Sequence, residues 1–553
     1  MRFPLFWRTA GAVRFDPRDS DGGFLAVKQN IEHYFNPILF ADYSDPDVIR
    51  VGDDFYLVSS SFNHVPGLPV LHSCDLIHWQ IIGHALQRLP SPRYDLAQPG
   101  NGVWAPSLRF YQNQFWIYYG DPDLGVFMVK SENPAGLWET PRLIQKAKGW
   151  IDPCPLWDDD GRAYLVHAWA KSRAGFNSLL TVHRMSLNGE KVLDAGVTVF
   201  DGHKNHPIIE GPKFYRRDGW YYLFAPAGGV QTGWQTVLRS RSVYGPYEDR
   251  IVLKQGNTAV NGPHQGGWVE LANGDSWFVH FQDRGPYGRI LHLQPLRWED
   301  GWPLIGADQD GDGIGEPVQT FALPRTNKTS PEFHIPASDE FTSNQLGLQW
   351  QWQANPDAAW HDLSVRPGFL RLFAVPSPIR SANLWLLPNI LAQKFPAERF
   401  AVKVCLSFHS STPGERAGMI VLGCDYACLS LHKRQECVML ELAFCLNADQ
   451  GGAETIVAAV PLTQTEVFLR AQVHTGGRCT FAYSLDDLLY LPIAGAFTAA
   501  QGKWVGAKIG LYALAANASS SVGPSPVLSC TPDASAGWAD FDFIRFDCNP
   551  QSE

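Results

Sequence analysis

Short apolar runs, each closed by a polar turn, follow one another along the whole chain, and no stretch sustains the 3.6-residue period of a helix. Five segments in the first 300 residues share one pattern, a polar turn followed by an aromatic-rich strand. They are GDDFYLVSS from Gly52, QNQFWIYYG from Gln112, DGRAYLVHA from Asp160, DGWYYLFAP from Asp218 and NGDSWFVHF from Asn273. Their aromatic anchors, Tyr56, Trp116, Tyr164, Tyr222 and Trp277, are spaced by 60, 48, 58 and 55 residues. Short strands repeating at about 50 residues predict a β-propeller with one blade per repeat, hence five blades. Beyond Gly306 the pattern changes. Residues 308–338 hold no sustained period and predict a junction, and from Asp339 onward long alternating strands appear, such as GFLRLFAV, RFAVKVCLSF, VFLRAQV and FDFIRF. Alternation at period two over many strands predicts antiparallel sheets with one buried face. The expected fold is all-β: an extension over 1–30, a five-bladed propeller over 31–307, a junction over 308–338 and an antiparallel β-sandwich over 339–553.

Composition agrees and narrows the function. Hydrophobic residues make up 45% and charged residues 18% of the 553, which excludes a disordered chain. The formal net charge is −10 with no basic run, which argues against a nucleic-acid partner or an anionic membrane surface. No apolar stretch approaches the roughly 18 residues that span a bilayer. At the N-terminus Arg8 interrupts the apolar run Phe3 to Trp7, which is shorter than the ~7–15-residue core of a secretory leader. Eight of the ten cysteines, Cys530 among them, fall in the last 150 residues without CxxC spacing, so they predict buried thiols rather than a zinc site. The expected location is cytoplasmic, or secreted or periplasmic if a leader has been removed. The sequons at Asn327 and Asn517 carry weight only in a secreted chain. The 70 aromatic residues exceed what blade cores need, and flat rings suit sugar faces.

The chemistry is carried by acids. Counting back from each anchor, Asp45 stands 11 residues before Tyr56, Asp152 stands 12 before Tyr164 and Glu210 stands 12 before Tyr222. The same count reaches Trp104–Ala105 in the second repeat and His264–Gln265 in the fifth. Inner propeller strands converge on one end of a central channel, so the three carboxylates are expected at one register around it. Hydrolysis of a glycosidic bond with inversion needs one carboxylate to activate water and one protonated acid to protonate the leaving oxygen, roughly 6.5–9.5 Å apart. A third carboxylate raises the acid's pKa and keeps it protonated. Each acid precedes Pro or Gly-Pro, so turn opening is the competing reading for any one of them.

On these residues the chain resembles a known family. NPILFADYSDPDVIRVGDDFYLVSSSFNHVPGLPVLHSCDLIHW (36–79) resembles the opening of the glycoside hydrolase family 43 β-xylosidases and α-L-arabinofuranosidases. WAPSL (104–108), EGPKFYRRDGWYYL (210–223) and RWEDGWPLIG (297–306) are similar to later blocks, and RPGFLRL (366–372) is similar to their C-terminal concanavalin-like sandwich. The resemblance implies Asp45 as general base, Asp152 as pKa-modulating carboxylate and Glu210 as general acid. It also implies Phe62, Trp104, Arg289 and Trp169 as sugar contacts, the last by a looser match, and Trp504 as an aromatic loop reaching the pocket from the sandwich. An ordinary sandwich-core position is the other reading of Trp504.

The implied substrate is a xylo-oligosaccharide or an arabinosylated oligosaccharide, cleaved one terminal pentose at a time, with no cofactor needed for the chemistry. A homo-oligomer is left open. Two places are candidates for a structural Ca2+. The resemblance implies that His264 contacts an ion in the channel that is otherwise held mainly by water, so that one histidine is a minor contributor, while hydrogen bonding to the catalytic shell is the alternative. Asp308, Asp310 and Asp312 form a DxDxDG run with Gln319 at the twelfth position, so it is no EF-hand, and an acidic surface turn is the alternative. Two other functions compete. A retaining fructan- or sucrose-cleaving enzyme of similar architecture would open with a WMNDPNG-like run, where YSDPDV stands. A glycan-binding propeller without catalysis would lack at least one of the three acids.

Overall fold

The computed structural model describes residues 33–328, 331, 333–377, 383–516, 531–532 and 536–548; the extension over 1–30, Asn517 and Cys530 lie outside the described residues. Five four-stranded antiparallel sheets stand around one axis, and each is built from four consecutive strands. Their inner strands are Asp47–Val51, Trp104–Tyr111, Trp150–Trp157, Lys213–Arg217 and His264–Glu270, which define blades I to V. Each inner strand turns back into the aromatic strand that the repeats marked. Gln112-Asn113 (φ 50° and 58°) and Asp218-Gly219 (φ 49° and 74°) make that turn with two left-handed residues. This is the geometry whose twist suits a tight hairpin.

The anchors hold the ring together because each blade buries both faces. Tyr56 packs in the seam between blades I and II, Trp116 between II and III, Tyr164 between III and IV, Tyr222 between IV and V, and Trp277 between V and I. One anchor per seam explains why the pattern survives at low identity: each ring fills the wedge between two twisted sheets. The ring closes through the V–I seam, and among the described residues no strand is shared between first and last blades. His33–Phe35 pairs with Thr320–Ala322 beside it, so part of the expected junction is strand.

The C-terminal domain is a sandwich of two seven-stranded sheets around one apolar core that includes Trp350, Phe400, Leu429, Leu511 and Phe541. It docks on the loops of blades I and V. Val65 and Trp352 exchange backbone hydrogen bonds, Ala507 N–H donates to Pro286 O at 2.7 Å, and Gly477 N–H donates to the Tyr287 hydroxyl at 2.9 Å. Among the described residues the α-helix is limited to Lys171–Ala174, and no helix is long and apolar enough to cross a membrane. The nine described cysteines are free thiols.

Candidate active site

The mouth of the channel is built from kinks in the inner strands. Asp45, Asp152, Gly211 and Gln265 all have left-handed backbone (φ 55°, 57°, 58° and 43°). In blade III the kink lies between the pairs Ile151–Ala168 and Cys154–Val166, and in blade V between His264–Phe281 and Gly266–His280. Bulges of this kind re-aim a side chain, here toward the axis. They also correct the register expected from the sequence. Lys213 pairs with Phe224 as Cys154 pairs with Val166, so the residue aligned with Asp152 is Gly211, and Glu210 stands one position earlier. Glu210 N–H donates to Pro226 O at 3.0 Å, the place that Ile151 holds in blade III. Counting from the anchors hid this because the blade III hairpin, turning through residues 158–162, is one residue longer. Asp45 and Asp152 are thus true equivalents, whereas Glu210 approaches the axis from the neighbouring position on a longer side chain.

The three acids line one cavity of about 290 Å³, and their surroundings differ. Asp45 is buried and accepts hydrogen bonds from Arg289 Nη1 (3.0 Å), Ser44 Oγ (2.8 Å) and Ser60 Oγ (2.6 Å). A guanidinium and two hydroxyls aimed at one carboxylate fix its position. Among the described residues Glu210 has no such donors. Burial, then the charges of Asp152 and Asp45, push its carboxyl up to about 8. Its side chain keeps 27% exposure, which opens onto the cavity. Asp152 accepts the Gly211 N–H at 2.7 Å, yet burial, helped by Asp45, raises it to about 7. The site therefore sets an anchored Asp45 and a Glu210 whose carboxyl is pushed up in one cavity.

Aromatic rings wall the cavity. Phe62 is fixed by paired backbone bonds to Val103, and its ring meets Trp104 edge-on at 6.4 Å. Trp104 in turn meets Trp504 at 5.9 Å. Trp504 projects from the sandwich, is 52% exposed and lies 6.0 Å from the Arg289 guanidinium, so it is a pocket wall and not sandwich core. Trp169 departs from expectation. It lies outside the cavity lining because its indole donates to Thr181 Oγ1 at 3.0 Å and packs on Phe176 within blade III. A second cavity, also about 290 Å³, lies at the domain junction against Tyr43, Trp79 and Phe395. It holds none of the acids, so volume alone does not make it a reaction site.

Three contributors escaped sequence reasoning. Ser60 and Ser44 carried no motif signal. Asp42 is buried beneath the site, and its carboxylate accepts Arg289 N–H and Gly506 N–H, each at 2.9 Å. Its carbonyl accepts Lys394 Nζ at 2.6 Å. Asp42 thereby joins the strand that carries Arg289 to the loop that carries Trp504.

For the expected calcium, the donor chemistry can be checked. Calcium takes 6–8 oxygen ligands. His264 is buried, with Nε2 3.7 Å from Glu210 Oε1, and burial followed by Arg289 pushes its imidazole down to about 3. It offers a neutral imidazole, neither of whose nitrogens has a hydrogen-bond partner among the described residues, so it could supply one ligand to an ion that water otherwise holds. Asp308, Asp310 and Asp312 approach within 4.8 Å of one another. However, the Lys254 ammonium sits on Asp310 and Asp312, while Gly311 and Gly313 N–H groups occupy Asp308. A cluster neutralised by the chain's own cation fits a surface turn.

A propeller with a carboxylate and a protonated carboxyl at the mouth of its channel, walled by rings, belongs to the class of carbohydrate-cleaving hydrolases. The chain is a member of glycosyl hydrolases family 43, whose model matches residues 34–303. Residues 338–524 match the β-xylosidase C-terminal concanavalin A-like domain. Over 470 residues it is 40% identical to a protein of Xylanibacter ruminicola, covering 84% of each chain. It is 31% identical over 411 residues to a non-reducing-end α-L-arabinofuranosidase of Bacteroides ovatus, covering 70% of this chain and 74% of that one. Over 568 residues it is 29% identical to a β-xylosidase of Formosa agariphila, covering 93% and 90%.

Proposed function

We propose that this glycosidase removes single terminal β-D-xylose or α-L-arabinofuranose units from xylo-oligosaccharides or arabinoxylan fragments, with inversion. The observation that carries this reading is the contrast between Asp45, tied to Arg289 at 3.0 Å, and Glu210, held protonated by burial and two neighbouring carboxylates. The names of the relatives, a β-xylosidase and an arabinofuranosidase, support the substrate class. A cavity at the small end of the range for small-molecule sites, with Trp504 on one wall, suits one terminal sugar better than a polymer.

In this mechanism the terminal sugar sits against Phe62 and Trp104. Asp45 takes a proton from a water that attacks the anomeric carbon, while Glu210 delivers its proton to the leaving oxygen from the opposite side. Arg289 holds Asp45 in place and neutralises the cluster before the reaction. Asp152 works through Glu210, because its charge opposes ionisation of the acid and its bond to Gly211 fixes the peptide that follows it. Each turnover leaves Asp45 protonated and Glu210 ionised, and exchange with water restores both.

The test uses 4-nitrophenyl β-D-xylopyranoside and 4-nitrophenyl α-L-arabinofuranoside with the wild type, Asp45→Ala and Glu210→Ala. Cleavage of at least one substrate by the wild type, lost in Asp45→Ala, is expected. Full activity in either variant would sink the assignment.

A further inference from the structure

Gln265 shares the blade V register with Asp45 and Asp152, and the mechanism above gives it no task. Four observations set it apart. It lines the cavity that holds the three acids. It is 4% exposed, yet its amide Nε2 has no hydrogen-bond partner among the described residues. Its backbone is left-handed at φ 43°, in a bulge where glycine would sit without strain. Finally, its side chain lies over Gly211: a Cβ on that glycine would come within 2.8 Å of the Gln265 Cγ, Cδ and Nε2. Gly211 thus makes room for the amide directly beside Glu210.

A buried amide without a partner is costly, and so is a left-handed glutamine. Apolar packing explains neither, since a glycine or an aliphatic residue would serve better. A ligand that supplies the missing partner explains both. An amide offers a donor and an acceptor on one rigid plane, which suits a sugar hydroxyl or a vicinal pair of them. An acid at this position would add a fourth carboxyl group to the cluster, whereas the amide recognises hydroxyls without charge.

We propose that Gln265 is a substrate-binding residue whose amide hydrogen-bonds a hydroxyl of the terminal pentose as the sugar seats beside Glu210. This rests on the pentosidase reading given above. It predicts that the pocket senses one particular hydroxyl through blade V, independently of Arg289.

The experiment compares the wild type with Gln265→Met, which keeps the bulk and removes the amide, on nitrophenyl β-xyloside and its 2-, 3- and 4-deoxy analogues. On the parent substrate Gln265→Met should lose roughly three- to tenfold in kcat/KM, as for one uncharged hydrogen bond. On one deoxy analogue the variant and the wild type should be equal, because the partner hydroxyl is already absent. An unchanged kcat/KM on the parent, or the same loss on the parent and all three analogues, would overturn the proposal. If Gln265→Met does not fold, as judged by its near-ultraviolet circular dichroism, Gln265→Asn keeps an amide and tolerates the left-handed backbone. Its shorter reach should weaken discrimination against that same analogue, and unchanged discrimination would refute the role. If the wild type cleaves neither pentoside, the substrate reading fails separately. Gln265 is then judged by calorimetric binding of D-xylose and L-arabinose, where weaker binding by Gln265→Met upholds it and equal binding overturns it.

Discussion

The Asp152 carboxylate accepts the backbone N–H of Gly211 at 2.7 Å, which ties an acid of blade III to the peptide that follows Glu210 on blade IV. The two acids are therefore coupled by position as well as by charge. Replacing Asp152 by Asn keeps an oxygen for the Gly211 N–H and removes the negative charge. Without that charge Glu210 ionises more easily, so the alkaline limb of the kcat/KM profile should move to lower pH. We expect kcat near neutral pH to fall roughly 10²-fold. An alkaline limb that stays in place would separate Asp152 from the acid.

Glu210 has a price in stability that its replacement should remove. Its carboxyl is raised from 4.5 to about 8 in the folded protein, so the folded state binds a proton that the unfolded state releases. Folding then loses stability as pH rises from 4.5 toward 8, and the effect is absent below 4.5. Glu210→Gln should raise Tm at pH 7, with the gain shrinking as pH falls toward 4.5. A pH-independent Tm difference, read by scanning calorimetry, would contradict the raised value.

The same variant should separate leaving groups. Nitrophenolate departs with little protonation, whereas the sugar oxygen of xylobiose needs a proton. Glu210→Gln is expected to lose roughly 10³-fold in kcat on xylobiose and distinctly less on the nitrophenyl glycoside. Equal losses on both would place Glu210 outside proton donation.

Asp42 should link sandwich and propeller. Asp42→Ala leaves the Arg289 and Gly506 N–H groups without their acceptor, at a cost of about 3 kcal/mol. It should also release the Trp504 loop. Trp504→Ala, by comparison, should raise KM roughly tenfold with kcat nearly kept, since a ring contact is made in the ground state and the transition state alike. Denaturation and steady-state kinetics of the two variants check this. A kcat loss in Trp504→Ala larger than its KM change would show that the ring does more than hold the sugar.

The propeller was legible because one aromatic ring fills each seam, and that demand repeats along the chain. Alternation over 339–553 marked the sandwich for a similar reason. Counting placed Asp45, Asp152 and Glu210 at the cavity they line but not their relative register, because a one-residue difference in the blade III hairpin is invisible without the strand pairs. Trp169 was misplaced because a ring at the end of a blade strand can turn toward the axis or into its own sheet, and Thr181 captured its indole. Asp42 carries no motif, and the count that reaches Gln265 says nothing of its amide. They matter through an acceptor shared between two domains and through an amide left without a partner, and both are properties of the folded chain.

In the proposed mechanism Asp45 activates water while Glu210 protonates the leaving oxygen in a single displacement. Proton NMR of the sugar first released from 4-nitrophenyl β-D-xylopyranoside tests it most directly. α-Xylose is expected at the outset, followed by slow mutarotation. Initial release of β-xylose would mean a covalent intermediate and would contradict the role assigned to Asp45.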